Sequence, residues 1–135
     1  MDITKAISIS ARGMDVQTAR LRVIAENIAN QDSTGSTPGA EPYRRKTITF
    51  ENKLDKELGV ETVRVRNVAP DRGELPKRYD PSHPAADADG YVRTPNVNSF
   101  VEIMDMREAQ RGYSANLNVM EVTRAMLTRT IELLK

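Results

Sequence analysis

The side chains best suited to chemistry in this chain are few and isolated. The single histidine, His83, lies between Ser82 and Pro84. A general base or metal ligand needs companions held on a rigid element, and the neighbours here are proline-rich. Asp87-Ala88-Asp89-Gly90 carries two carboxylates at the spacing that opens a calcium loop. The further carboxylates and the closing glutamate of an EF-hand are missing, so the segment reads as a turn in which Gly90 takes a positive φ. No serine or threonine has a histidine partner in a nucleophile elbow, and there is no glycine-rich phosphate loop. The chain has no cysteine, which excludes disulfides and thiolate metal sites. The expectation is a protein that is not an enzyme, with no catalytic, cofactor-binding or metal-binding residues and no small-molecule substrate.

Charge narrows the partners. Twenty basic and 19 acidic side chains leave a net charge of +1, without the basic stripe of a nucleic-acid binder. Arg44-Arg45-Lys46 is the one basic triplet and reads as a solvated strand start rather than a phosphate contact. No stretch reaches the roughly 20 apolar residues of a membrane span, so no membrane insertion is expected. Asp2, Lys5, Arg12 and Asp15 interrupt the N-terminus as a secretory signal would not allow.

The elements that would position any functional surface are two helical arms. Ile7, Met14, Leu21 and Ile28 recur at intervals of seven, with Ile3 and Ile24 in a flanking row. Towards the C-terminus, Ile103, Leu117 and Ile131 form one row, and Met106, Tyr113, Met120, Leu127 and Leu134 the other. This is the a/d pattern of helices that bury a narrow stripe against other helices. Polar residues interrupt the rows: Ser10 and Gln17 in the first arm, Gln110 and Arg124 in the second. They either fix register or reach solvent as the stripe drifts. Gly13, beside Ala6, Ser10 and Ala11, marks either close approach of another backbone or an exposed position that tolerates it.

All seven prolines fall between Pro38 and Pro95, and with them the helical pattern stops. Residues 31–41 read as a loop. Alternation in Thr47–Phe50 and in Glu61–Arg66 predicts two half-buried antiparallel strands, with a polar connector between them. An irregular extended tract should follow to Pro84, then a short extended piece over 90–94. Asn96, Asn98 or Ser99 is placed to cap the second helix. The predicted fold is mainly α: long N- and C-terminal helices packed as a coiled-coil-like pair, with a small β-hairpin and extended middle. Its segments are 1–30, 31–96 and 97–135, together one core domain. Few large side chains are available to a core, with four tyrosines, two phenylalanines and no tryptophan, so such a chain should depend on partners for stability.

The helix junctions resemble those of the axial proteins of the bacterial flagellum. Ala25-Glu26-Asn27-Ile28-Ala29-Asn30, followed by Thr34-Gly35, is similar to the asparagine-rich signature that closes their N-terminal helix. The tract from Asp80 to Val97, with Gly90, Tyr91, Pro95, Asn96 and Val97, is similar to a segment of the short proximal rod proteins. Arg111-Gly112-Tyr113-Ser114-Ala115-Asn116 matches an arginine-x-tyrosine-x-alanine-asparagine motif of the C-terminal helix. Two positions depart from the pattern: Glu26 stands where many relatives have asparagine or serine, and Ser36 where they have an aromatic. The resemblance implies a structural subunit of the proximal rod, with both helical seams as subunit interfaces, that polymerises and transmits torque. It further implies export by the flagellar type III apparatus without a cleaved signal. The implied location is the part of the basal body that crosses the periplasm, and the implied partners are other copies, other rod proteins and the protein joining the rod to the MS ring. The alternatives are a neighbouring rod subunit of the same family or, in another class, a helical-hairpin adaptor or export chaperone.

Overall fold

The computed structural model describes residues 2–135. In chain order it contains α1 (Ile3–Ala29), β1 (Lys46–Asp55), β2 (Val60–Pro70), β3 (Lys77–Tyr79), β4 (Tyr91–Arg93) and α2 (Ser99–Leu133). Contacts divide it into two compact units. Among the described residues, one comprises 2–21, 48–67 and 106–135, the other 22–47 and 68–105. Both helices therefore contribute to both units.

The helix ends follow from local chemistry. The Asp2 carboxylate accepts the Thr4 N–H at the start of α1. At the far end Asn30 turns back, its backbone and side-chain amides both donating to the Glu26 carbonyl. Asn98 caps α2 by accepting the Phe100 N–H at 3.0 Å. The other candidate caps are used elsewhere: Ser99 donates to the Gln31 side chain, and Asn96 accepts the Arg45 N–H at 2.7 Å.

The first unit holds most of the β1–β2 hairpin, whose strands are longer than the alternating kernels suggest. Its tip is an aspartate turn. Asp55 Oδ1 accepts the N–H groups of Glu57 and Leu58, and Gly59, at φ +67°, donates to the Asp55 carbonyl at 2.7 Å. Along β1 the alternation is kept, with Ile48 and Phe50 half-buried and Thr47 and Thr49 exposed. Glu51 receives Arg64 from across the hairpin. The buried side of the helical segments carries small or polar groups: Ser10, Gly13 and Val16 on α1, and Ala109 on α2.

The second unit contains a sheet that the sequence pattern does not announce. Strand β3 lies in the tract expected to be irregular and pairs antiparallel with β4, in register Lys77–Arg93, Arg78–Val92 and Tyr79–Tyr91. The two tyrosine rings meet edge to face at 5.4 Å. Gly90, at φ +86°, is required twice over, because a Cβ there would also stand 2.9 Å from the Tyr79 ring. Asp87 Oδ1 accepts the N–H groups of Asp89 and Tyr91, which fixes the turn expected at Asp87–Gly90. Val23, Ile24, Ala85 and Val92 form the apolar core of this unit.

Candidate subunit interface

Three surfaces carry the residues marked by the sequence. The first is the contact between α1 and α2 in the first unit. A Cβ at Gly13 would stand 2.7 Å from Asn116 Nδ2, and one at Gly112 would stand 3.0 Å from Gln17 Nε2. Each helix thus offers a glycine to an amide side chain of the other, and Gly13 marks close approach rather than an exposed site. Asn116 also donates to the Gly112 carbonyl. Ser10 is 5% exposed and Gln17 is half-buried, so the polar residues of the α1 rows lie inside the packed face. Those of α2, Gln110 and Arg124, face solvent. Arg20 of α1 and Glu108 of α2 approach to 3.7 Å at its margin.

The second surface is a buried polar junction in the second unit. Asn27, 1% exposed, closes α1 onto the start of β1. Its Nδ2 donates to the Lys46 carbonyl at 2.9 Å, and its Oδ1 accepts the Lys46 N–H at 2.9 Å and the Tyr43 hydroxyl at 2.7 Å. Nδ2 also reaches Glu102 Oε2 at 3.4 Å. Glu102, 0% exposed on α2, is paired with the Arg45 guanidinium, which also reaches Asp105 at 3.4 Å. Lys46 pairs with Glu26 at 2.5 Å. A carboxylate so fully removed from water is tolerable only because it is paired and hydrogen-bonded. Burial, with the Glu26 and Glu102 carboxylates adding repulsion, raises the Tyr43 hydroxyl above its ordinary value of 10.0. The basic triplet is therefore not a solvated strand start. Arg45 and Lys46 are tied into the junction, and Arg44 donates to the carbonyls of Asp71 and Gly73.

His83 belongs to the same unit in a structural role. Its Nδ1 accepts the Ala85 N–H, which leaves the proton of the neutral ring on Nε2, 3.0 Å from Thr34 Oγ1. This contact, with the Tyr43 N–H donating to the Ser33 carbonyl, anchors the loop after α1.

The third surface is the outside of α2. Phe100 is 81% exposed and Met104 70%, and further along Val122 is 60%, Met126 57% and Leu133 86% exposed. Of the seam residues, Ile103, Leu127, Ile131 and Leu134 join this exposed set, at 37–83%. Met106, Tyr113, Leu117 and Met120 are half-buried. On α1, Ile24 is buried, and Ile7, Met14, Leu21 and Ile28 are half-buried. The row of α2 that turns inward is Glu102, Ala109, Asn116 and Thr123, one position before the Ile103 row. Among the motif residues, Gly90 and Pro95 are buried; Asn30, Asn96, Val97 and Asn116 are half-buried; Tyr91, Arg111 and Ala115 are exposed.

Comparison with known proteins gives this arrangement a family. Residues 88–133 match the family model described as flagellar basal body rod FlgEFG protein C-terminal. The flagellar basal-body rod protein FlgC of Agrobacterium fabrum is 53% identical over 133 residues, covering 98% of this chain and 96% of that protein. The chain belongs to the FlgC family. The FlgC proteins of Borreliella burgdorferi, at 35% identity over 100% of this chain and 99% of the relative, and of Aquifex aeolicus, at 39% over 98% and 97%, extend the likeness across its whole length. It is accordingly a structural subunit of the flagellar basal-body rod.

Glu102, Tyr43 and Arg45 lie outside the seam rows and motifs that mark site residues in the sequence. The signal that points to Glu102 is the seven-residue interval linking it to Ala109, Asn116 and Thr123, a row that an apolar pattern does not include.

Proposed function

We propose that the subunit polymerises through its terminal helices to build the proximal rod, and that the rod transmits torque across the periplasm. In this reading segments 1–30, 31–96 and 97–135 act as one axial core. The seam residues meet other copies and other rod proteins, and the first copies meet the protein that joins rod to MS ring. Export is through the flagellar type III apparatus, without a cleaved signal, and the chain performs no catalysis. The observation that carries the reading is the exposed apolar outside of α2 on a chain of rod-protein family. Burying one such side chain contributes about 1.5–3 kcal/mol, and a polymer repeats that gain at every subunit. Coiled-coil-like pairing of the helices belongs to the assembled state, where those faces acquire neighbours.

The test is Leu127→Asp and Ile131→Asp. A charge placed in a dry seam adds a desolvation cost of several kcal/mol. The expected phenotype is normal expression and export, basal bodies without a completed rod, and no swimming. Normal swimming by both variants would show that these positions stay in solvent.

A further inference from the structure

The second unit carries a basic cleft that neither the helical seams nor the buried junction uses. It has a volume of about 630 Å³ and is lined by Arg44, Arg72, Lys77 and Arg93, with Glu74 at its side. Two of these cations are already engaged: Arg44 with the Asp71 and Gly73 carbonyls and Glu41, and Arg93 with the Gly39 carbonyl and, at 4.0 Å, Glu41. Even so, Arg44 Nε is buried without an acceptor, which is uncommon for a native polar group. Arg72 and Lys77 are exposed and have no ionic partner among the described residues. These two cations leave the cleft open to an acidic group from outside the chain.

One acidic feature nearby has the right form. The turn Asp87-Ala88-Asp89 is exposed at all three residues. It is held rigid by the Asp87 bonds to the Asp89 and Tyr91 amides, so presenting it to a partner costs little ordering entropy. Those bonds use Asp87 Oδ1, and the Asp89 carboxylate takes no part in them. Asp87 also lines a second hollow that shares Lys77 and Arg93 with the basic cleft, so acidic turn and basic cleft adjoin on one face.

We propose that the cleft of one copy receives the Asp87–Asp89 turn of a second copy in the rod. The inference rests on the polymer reading above and names a contact outside its helical seams. Where the second copy does not return the contact, it is heterologous, the kind that propagates into rings or helical filaments. Complementary charge at such a site fixes which neighbour is accepted and in what register.

The absence of cysteine permits a direct test. Two forms of the full chain, Lys77→Cys and Asp89→Cys, are co-expressed in cells lacking the native gene, and basal bodies are isolated and mildly oxidised. The Asp87 bonds that fix the turn remain in both variants. A covalent dimer is expected when the two forms are present together and not when either is present alone. Both chains incorporated into rods without a cross-link would overturn this contact and leave the polymer reading intact. Cross-linking of either form alone would also overturn it, since it would place like patches together. Failure of the unmodified chain to enter rods would instead remove the polymer reading. As a second measurement, Lys77→Glu and Asp89→Lys should each reduce swimming several-fold, and the two reversals combined in one chain should restore it. No recovery would show that the cleft takes another occupant.

Discussion

The two places where α1 and α2 meet are built in opposite ways. In the first unit, helix faces Gly13 opposite Asn116 and Gln17 opposite Gly112. Those contacts bring the helices close by setting a glycine against an amide side chain. In the second unit a charged junction joins Asn27, Tyr43, Arg45, Lys46 and Glu102. The glycine contact tolerates adjustment, because the atoms that would give way are the ends of the Asn116 and Gln17 side chains. The junction does not, because any mismatch leaves a buried charge or amide unpaired. The chain thus combines an exacting junction with a yielding pair of helical arms, and four changes separate their contributions.

The largest effect should come from the junction. Glu102→Ala leaves the Arg45 guanidinium with Asp105 as its remaining carboxylate and removes an acceptor from Asn27, at a cost of about 2–3 kcal/mol, below that of a charge left wholly unpaired. Chemical denaturation should show that loss, with amide exchange accelerated at Val92 and Val23. Near wild-type stability would mean that the buried pair is dispensable. A more moderate effect is expected at the glycine contact. Gly13→Ala gains roughly 1 kcal/mol of helix propensity but forces Asn116 aside, and overpacking typically costs about 1–3 kcal/mol. The net loss should disappear when Asn116→Ala is added, and a double-mutant cycle without coupling would refute the contact.

The third change reads the junction through pH. The Tyr43 hydroxyl titrates above 10.0 in the folded chain. Its contribution to stability is therefore complete below pH 10, where folded and unfolded forms both keep the proton. It is lost as pH rises through the folded value, because the unfolded chain releases the proton first. Tyr43→Phe should remove that component of alkaline destabilisation, and an unchanged alkaline profile would argue against it. The smallest effect belongs to the exposed outside of α2. Ile131→Ser should alter the stability of the isolated chain by no more than about 0.5 kcal/mol, so a larger shift in its melting would mean that the residue packs within the monomer.

Legibility in the sequence follows the same division. The helices were readable to within a residue or two, because proline confinement and capping asparagines are local signals. Strands β1 and β2 were visible as alternating kernels, although their full length depends on pairing. Strand β3 was not, since Lys77-Arg78-Tyr79 has no apolar alternation and exists through its register with Tyr91–Arg93. The motif asparagines were legible, but the reason for Asn27 was not. Its partners lie 16 to 75 residues away along the chain, and such distances leave no trace in periodicity. Glu102 shows the limit most clearly, as an acidic residue in a polar helical stretch looks solvated until Arg45 is placed against it.

The span of that junction also sets a schedule. Glu102 meets Asn27 across 75 residues and Arg45 across 57, so neither bond can close until most of the chain is available. A chain delivered N-terminus first must keep its early segments open while the rest arrives, and contacts so distant in sequence are slow to form. The sequence therefore carries its own delay: the step that locks α1, β1 and α2 together waits for the last third of the molecule.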